Sequence, residues 1–331
     1  MTTPHLRPPP AAVIEGGRPN LGRFDGPVRS VNIAPTGLGR LRLKEWHYLS
    51  ITTPRHYVAF AIVDLGYVGN VFAYVVDRSR PAAPHLMERI VPLGRGIRFA
   101  ASSVSGETRY THRRDRLSVR CDPDSTCVAI DLGVDGQRLV GDFSVITGAT
   151  ASLVHQFPNQ ALAYTHKGAA LPVQGSLRYA GQPLIPASGG LGGTDWTRSV
   201  AQRKTTWRWA SLSTLDANGA PLGLNLSSEV YDDADGNSEE NFLFGAAGTA
   251  PLGGVRFTIP AAPLRDRWTI RSRSGDQVDL RFQPLGARTD DTNLGLVKSK
   301  FIQPYGLFDG VVAGIPVAGG FGVVEDHLAV W

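Results

Sequence analysis

Sulfur is scarce in this chain of 331 residues, which holds two cysteines and two methionines. No stretch approaches the roughly 18 consecutive apolar residues that cross a bilayer as a helix. With only Cys121 and Cys127, a disulfide-stapled secreted scaffold is excluded. Two thiols also fall short of the four ligands a structural zinc normally takes. A bridge across the short segment between them is the alternative to two reduced thiols. The first twenty residues, MTTPHLRPPPAAVIEGGRPN, lack a continuous apolar core of the signal-peptide kind. The chain is therefore expected to be cytoplasmic, with no integral membrane segment. Long charge runs are missing too: 34 basic residues stand against 29 acidic ones, a net charge of +5. The densest basic cluster, Arg109, His112, Arg113, Arg114 and Arg116, reads as a solvated strand and turn, and no nucleic-acid partner is expected. There is no G-x-S-x-G elbow, Walker loop, H-E-x-x-H pair or dinucleotide fingerprint, and the eight histidines lack metal-ligand spacing. No cofactor and no metal are expected.

Glycine and proline, by contrast, are plentiful, at 38 and 23 residues, and 42% of the chain is hydrophobic. They are scattered without period, which excludes collagen and points to many short elements joined by turns. LRLKEWHYLSIT (41–52), HYVAFAIVDLG (56–66) and NVFAYVVDR (70–78) are rich in β-branched and aromatic residues. Further such runs follow about every ten residues. Asp-Gly, Asn-Gly or Ser-Gly pairs at 135–136, 218–219, 235–236, 274–275 and 309–310 suit hairpin turns, because they tolerate positive φ. The fold class is all-β, with roughly twenty strands and little helix beyond a possible turn at Asp195–Gln202. So many strands exceed one small closed barrel, and two antiparallel barrels fit the length better. Residues 1–38, rich in Pro, Gly and Arg, form an irregular lead-in over the surface. One barrel is expected over 39–168 and a second over 169–331. The Gly-rich stretch 181–194 is the clearest break in composition and the expected crossing between the two halves.

Four constellations carry chemistry. In GGTDWTRS (192–199) and RKTTWRWASLS (203–213), Asp195 follows a Gly-rich bend, and Trp207 and Trp209 share one strand face. An acid desolvated by indoles holds its proton near neutral pH, as a general acid must. The alternative is a turn-capping Asp beside two core tryptophans. Asn225 and Asn241 lie in apolar runs, where a buried amide either orients a ligand or satisfies neighbouring backbone. In GVVEDHLAVW (322–331), Glu325 and His327 share a face, either as an acid/base pair or as a structural pair inside a barrel. The acidic stretch YDDADGNSEEN (231–241) has the wrong spacing for a calcium loop and reads as a solvated turn.

Taken in order, LKEWHYLSI, VDLGYVGNVFAYVVDR, LPVQGSLRY, the Asp195 bend with TTWRWAS, LGLNL, VDLRFQP, IQPYGLFDG and the terminal VEDHLAVW resemble the bacterial family called domain of unknown function 2804, over residues 40 to 331. More distantly, an Asp at a Gly-rich bend followed by a W-x-W strand is similar to the double-lipocalin enzymes. These include carotenoid hydratases, the attachment-protein-like family, tocopherol cyclase and lipocalin-type Diels–Alderases. That resemblance implies two calycin-like barrels packed together around an apolar substrate. Their bend reads D-H/R-x-W, whereas Asp195 is followed by Trp196, Thr197 and Arg198, so a second acid/base position is absent. The implied activity is cofactor-free hydration, cyclisation or isomerisation of an isoprenoid, polyketide or lipid. Asp195, Glu325 and His327 would be catalytic, and Trp207, Trp209, Asn225, Asn241 and Gln303 would bind substrate. The alternative is a non-catalytic carrier of a lipid-like ligand.

Overall fold

Apolar residues recur with period two along most of the chain, and the backbone answers with long antiparallel strands. Gln137–Ile146 shows the rule: Leu139, Gly141, Phe143 and Val145 are buried while their neighbours face outward. The structure is a computed structural model that describes residues 6–293 and 298–331. It is nearly all-β, with two curled antiparallel sheets in the manner of a calycin-like double barrel. Gly37–Arg42 forms a 3-10 turn.

The first sheet has fourteen strands among the described residues. Its central path runs from His85–Pro92 through Val68–Asp77, His56–Asp64, Leu43–Thr52, Gly190–Val200 and Leu162–Tyr179 to Gln137–Ile146 and beyond. It curls around a core that includes Leu49, Phe60, Val71, Leu132, Leu139 and Val173. The second sheet has nine strands, with Lys204–Leu215, Ile315–Val330, Lys298–Val312 and Val278–Asn293 at its centre. Its core includes Leu212, Leu224, Trp268, Leu280, Phe282 and Val324.

A third apolar cluster joins the two sheets. Tyr48, Tyr57, Ala61, Phe72 and Tyr74 come from the first sheet, and Trp209, Tyr305, Phe321 and Val323 from the second. Strand alternation makes this possible. Leu49 and Ile51 face the first core, so Tyr48 points at the other sheet. Val324 faces the second core, so Val323 and Glu325 point back. Close approach at the seam requires glycine at 223, where a Cβ would lie 2.6 Å from the carbonyl carbon of Ala169.

Four sequence expectations change. Asp195–Gln202 is not a helical turn, because Gly190–Val200 is a strand pairing with both Leu43–Thr52 and Leu162–Tyr179. The glycines at 192 and 193 do not bend the chain away; they let the strand pass close to Val173 and Ser50. The Gly-rich stretch is also not where the chain changes sheets, since it passes from the first to the second between Val200 and Lys204. Finally, the lead-in is partly ordered: Gly22–Asp25 pairs with Thr150–Gln156, and Val13, Phe24, Val28, Val31 and Ile33 pack against Tyr164 and Trp196. Its first five residues lie outside the described residues.

Candidate functional site

A cavity of about 490 Å³ lies between the two sheets. Cross-strand register places the groups that line it. On the first sheet, Lys167, Asp195, Tyr48, Ala61 and Phe72 follow one another as neighbours across five strands, and Glu88, next to Phe72 on a sixth, is not part of the lining. On the second, Trp209 lies beside Glu325, Trp207 beside His327, His327 beside Phe301, and Gln303 beside Arg288. A slot walled by aromatic rings results, with ionisable groups at fixed points along it. Trp46 and Trp207 stack across the slot with centroids 6.2 Å apart and planes 17° apart. Tyr48 meets Trp209 edge-on at 5.7 Å.

Glu325 sits in the wall of this slot. Its Oε2 accepts a hydrogen bond from Trp207 Nε1 at 2.9 Å, and its Oε1 accepts one from Gln303 Nε2 at 2.5 Å. Gln303 in turn accepts from Tyr74 Oη at 3.0 Å, which fixes the orientation of its amide. Burial penalises the carboxylate, and the charge of Asp195 adds to the penalty. Together they outweigh the two donors and push the Glu325 pKa up to about 7. Glu325 and His327 do face the same way, but each finds its own partners. His327 Nε2 lies 3.0 Å from Ser299 Oγ, and its ring packs on Trp207 with centroids 4.1 Å apart. Burial first, and Arg288 second, lower the His327 pKa to about 3, so the imidazole is neutral. Its Nδ1 is buried and has no hydrogen-bond partner in the protein.

Asp195 lines the cavity too, though as the centre of an ion pair. Its Oδ2 lies 2.7 Å from Lys167 Nζ and accepts from Trp46 Nε1 at 3.1 Å; its Oδ1 accepts from Thr197 Oγ1 at 3.0 Å. Lys167 also reaches Glu240, with Nζ 3.4 Å from Oε1. All three are buried. Burial works to lower the Lys167 pKa, but the two carboxylates outweigh it and hold the pKa raised. Glu240 is raised as well, by burial first and by repulsion from Asp195, against the pull of Lys167. One ammonium cannot neutralise two carboxylates, and it is the Glu240 carboxyl that burial pushes toward its protonated form.

The remaining expected residues divide. Trp207 and Trp209 both line the cavity. Asn225 and Asn241 do not line it. Asn225 accepts from Trp209 Nε1 at 2.8 Å and donates to the Glu240 carbonyl at 2.7 Å, and so orients an indole that does. Asn241 spends its amide on the Ser227 amide N–H and the Gly253 carbonyl. Sequence reasoning missed Lys167, Glu240, Arg288, Trp46 and Tyr48. A lone lysine inside the apolar run ALAYTHKGAAL was a readable signal for Lys167. Glu240 was hidden in the acidic stretch read as a turn, and Arg288 sits in a polar run without pattern. Among the described residues, no group of three His, Cys, Asp or Glu side chains is arranged to hold a metal ion. No helix among them is long and apolar enough to cross a membrane.

Solved structures similar to this one include two proteins of known name. Kievitone hydratase from Nectria haematococca aligns over 93% of this chain and 98% of its own, at 17% identity and a TM-score of 0.50. CghA aligns over 93% and 98%, at 11% identity and a TM-score of 0.48. No curated protein matches the chain in sequence. The model of the family described as domain of unknown function 2804 matches residues 10–331, and the chain belongs to that family.

Proposed function

We propose that the inter-sheet cavity is the active site of an enzyme that protonates an unsaturated hydrophobic small molecule, as a hydratase, cyclase or isomerase does. The carrying observation is Glu325, a carboxyl with a pKa of about 7 set in an aromatic slot beside the neutral imidazole of His327. Such a carboxyl holds a proton near neutral pH and releases it to a base formed in the substrate. In hydration, the Glu325 proton forms a C–H bond with one alkene carbon, and the cation left on the other carbon faces Trp46, Trp207 and Trp209. Water adds to that cation and gives its proton to His327 Nδ1. Return of this proton to Glu325 closes the cycle. The role of His327 requires the tautomer in which Nε2–H donates to Ser299 Oγ, so that Nδ1 carries the lone pair. Gln303 and Trp207 hold the carboxyl, Asn225 holds Trp209, and Asp195 with Lys167 supplies a fixed polar wall. A calycin-like fold shared with a hydratase agrees with the reading, and an isoprenoid, polyketide or lipid fits the slot. No cofactor enters the scheme.

The test is incubation of the purified protein with a lipophilic cell extract in water enriched in oxygen-18, followed by mass spectrometry. A product carrying the heavy oxygen, or an isomer of an extract component, is expected with the wild type and absent with Glu325→Gln. A compound bound one-to-one and released unaltered by both proteins would refute the enzyme and establish a lipid-like carrier instead.

A further inference from the structure

Buried polar atoms without a partner are uncommon in folded proteins, because each costs a desolvation penalty that nothing offsets. Several of them here belong to residues of the cavity wall. Tyr67 Oη, Asn70 Oδ1, Arg288 Nε and His327 Nδ1 are all buried without a hydrogen bond, and all four residues line the slot. Two of them meet at one end. Asn70 Nδ2 donates to Glu88 Oε1 at 2.7 Å, and Arg288 Nη2 donates to the same oxygen at 2.6 Å. Arg288 is only 8% exposed. Its guanidinium is sandwiched between Phe72 and Phe301, with centroids at 3.9 and 4.9 Å. The planar group is thus held rigidly, its charge is balanced by Glu88, and its Nε–H remains unspent. Asn70, which shares the Glu88 oxygen with Arg288, keeps its Oδ1 as an unspent acceptor. Arg288 is also the register neighbour of Gln303, which holds Glu325.

We propose that Asn70, Glu88 and Arg288 form a recognition subsite for a hydroxyl group on an otherwise apolar substrate. A hydroxyl accepts from Arg288 Nε–H and donates to Asn70 Oδ1, and so satisfies both atoms at once. A carboxylate suits the place less well, because Glu88 already neutralises the guanidinium and would repel a second anion. The substrate is then an amphiphile of the terpenoid-alcohol or phenol kind, with its oxygen at this end and its unsaturated carbons along the slot toward Glu325. The proposal rests on the cavity being the ligand site described above, though not on catalysis there.

Farnesol and farnesene, an isoprenoid alcohol and hydrocarbon of similar carbon skeleton, are the probes. Their binding is read by quenching of tryptophan fluorescence. One hydrogen bond from a charged donor is worth about ten- to a hundredfold in affinity, and the wild type is expected to prefer farnesol by at least the lower figure. Arg288→Lys keeps the positive charge opposite Glu88 but removes the Nε–H. The preference should fall toward parity with farnesene affinity retained, which also shows that the variant is folded. Equal affinities in the wild type, or no binding of either probe, overturn the proposal, as does a preference that survives Arg288→Lys. Glu325→Gln should keep the farnesol preference. Its loss there would move oxygen recognition to Glu325 and overturn the subsite, whereas absence of turnover in a wild type that prefers farnesol would sink only the enzyme reading.

Discussion

Replacing Glu325 by Gln removes a cavity carboxyl that titrates near neutrality, and the consequence for stability has a definite sign. Burial raises this carboxyl from 4.5 to about 7. Between those values the folded chain keeps a proton that the unfolded chain has lost. The group's contribution is therefore fully present below 4.5 and disappears as pH rises through about 7. The interval corresponds to about 3 kcal/mol, to order of magnitude. Buried histidines act in the opposite sense. His47, His166 and His327 are depressed to about 3, about 4 and about 3, mainly by burial, and each costs stability as pH falls below 6.5. The wild-type profile alone is thus ambiguous, and the difference between the two proteins is the diagnostic quantity. A glutamine at 325 accepts from only one of Trp207 and Gln303, which costs about 1–3 kcal/mol at every pH. On top of that constant, the variant should gain about 3 kcal/mol on the wild type between pH 5 and pH 8. Urea unfolding of both proteins at half-unit pH steps measures it. Parallel profiles would mean that Glu325 is ionised in the folded chain at neutral pH, and the proton-donor role would fall with it.

Turnover should decline as pH rises through about 7 in the wild type, following the Glu325 proton. Trp207→Phe removes a donor to the carboxylate and should move that limit upward, as a pH–rate profile would read. Lys167→Met leaves Asp195 and Glu240 buried without their counter-charge and should destabilise by about 3–5 kcal/mol; adding Asp195→Asn in the same chain should recover part of the loss. Gly223→Val drives a side chain into the Ala169 backbone and should lower the unfolding midpoint by the equivalent of at least about 1–3 kcal/mol. Cys127, whose pKa is lowered chiefly by Ser144 and Ser125, should react readily with a thiol reagent. Cys121, buried and pushed up to about 11, should react only after unfolding.

The strand content, four of the five marked hairpin turns and the two-barrel architecture were legible because they follow from period-two patterning and turn chemistry, both local properties of the chain. Asp309–Gly310 instead lies inside the strand Lys298–Val312 at a shift of register, and the turn comes at Ala313–Gly314. Trp207 with Trp209, and Glu325 with His327, were likewise readable as pairs, since residues two apart on a strand must share a face. The same argument was silent on which pair faces a cavity. It also misread the Gly-rich stretch, because glycine marks a close backbone approach as well as a turn, and Gly192 and Gly193 serve the approach. Asn225 and Asn241 show the complementary limit. A buried amide signals an obligatory hydrogen bond but not its partner, and here the partners are an indole N–H and backbone groups.

The residue pattern alone thus specifies an antiparallel β protein with two apolar cores and several faces too polar or too aromatic to be explained by either core. Only the tertiary structure decided that those faces meet. Lys167 meets Asp195 and Glu240, and Arg288 meets Asn70 through Glu88, through contacts between strands far apart in the chain. The physical reason is that a strand's pattern fixes which side a residue faces, whereas register and the stacking of one sheet on another fix what it faces. The pKa of Glu325 depends on the second alone.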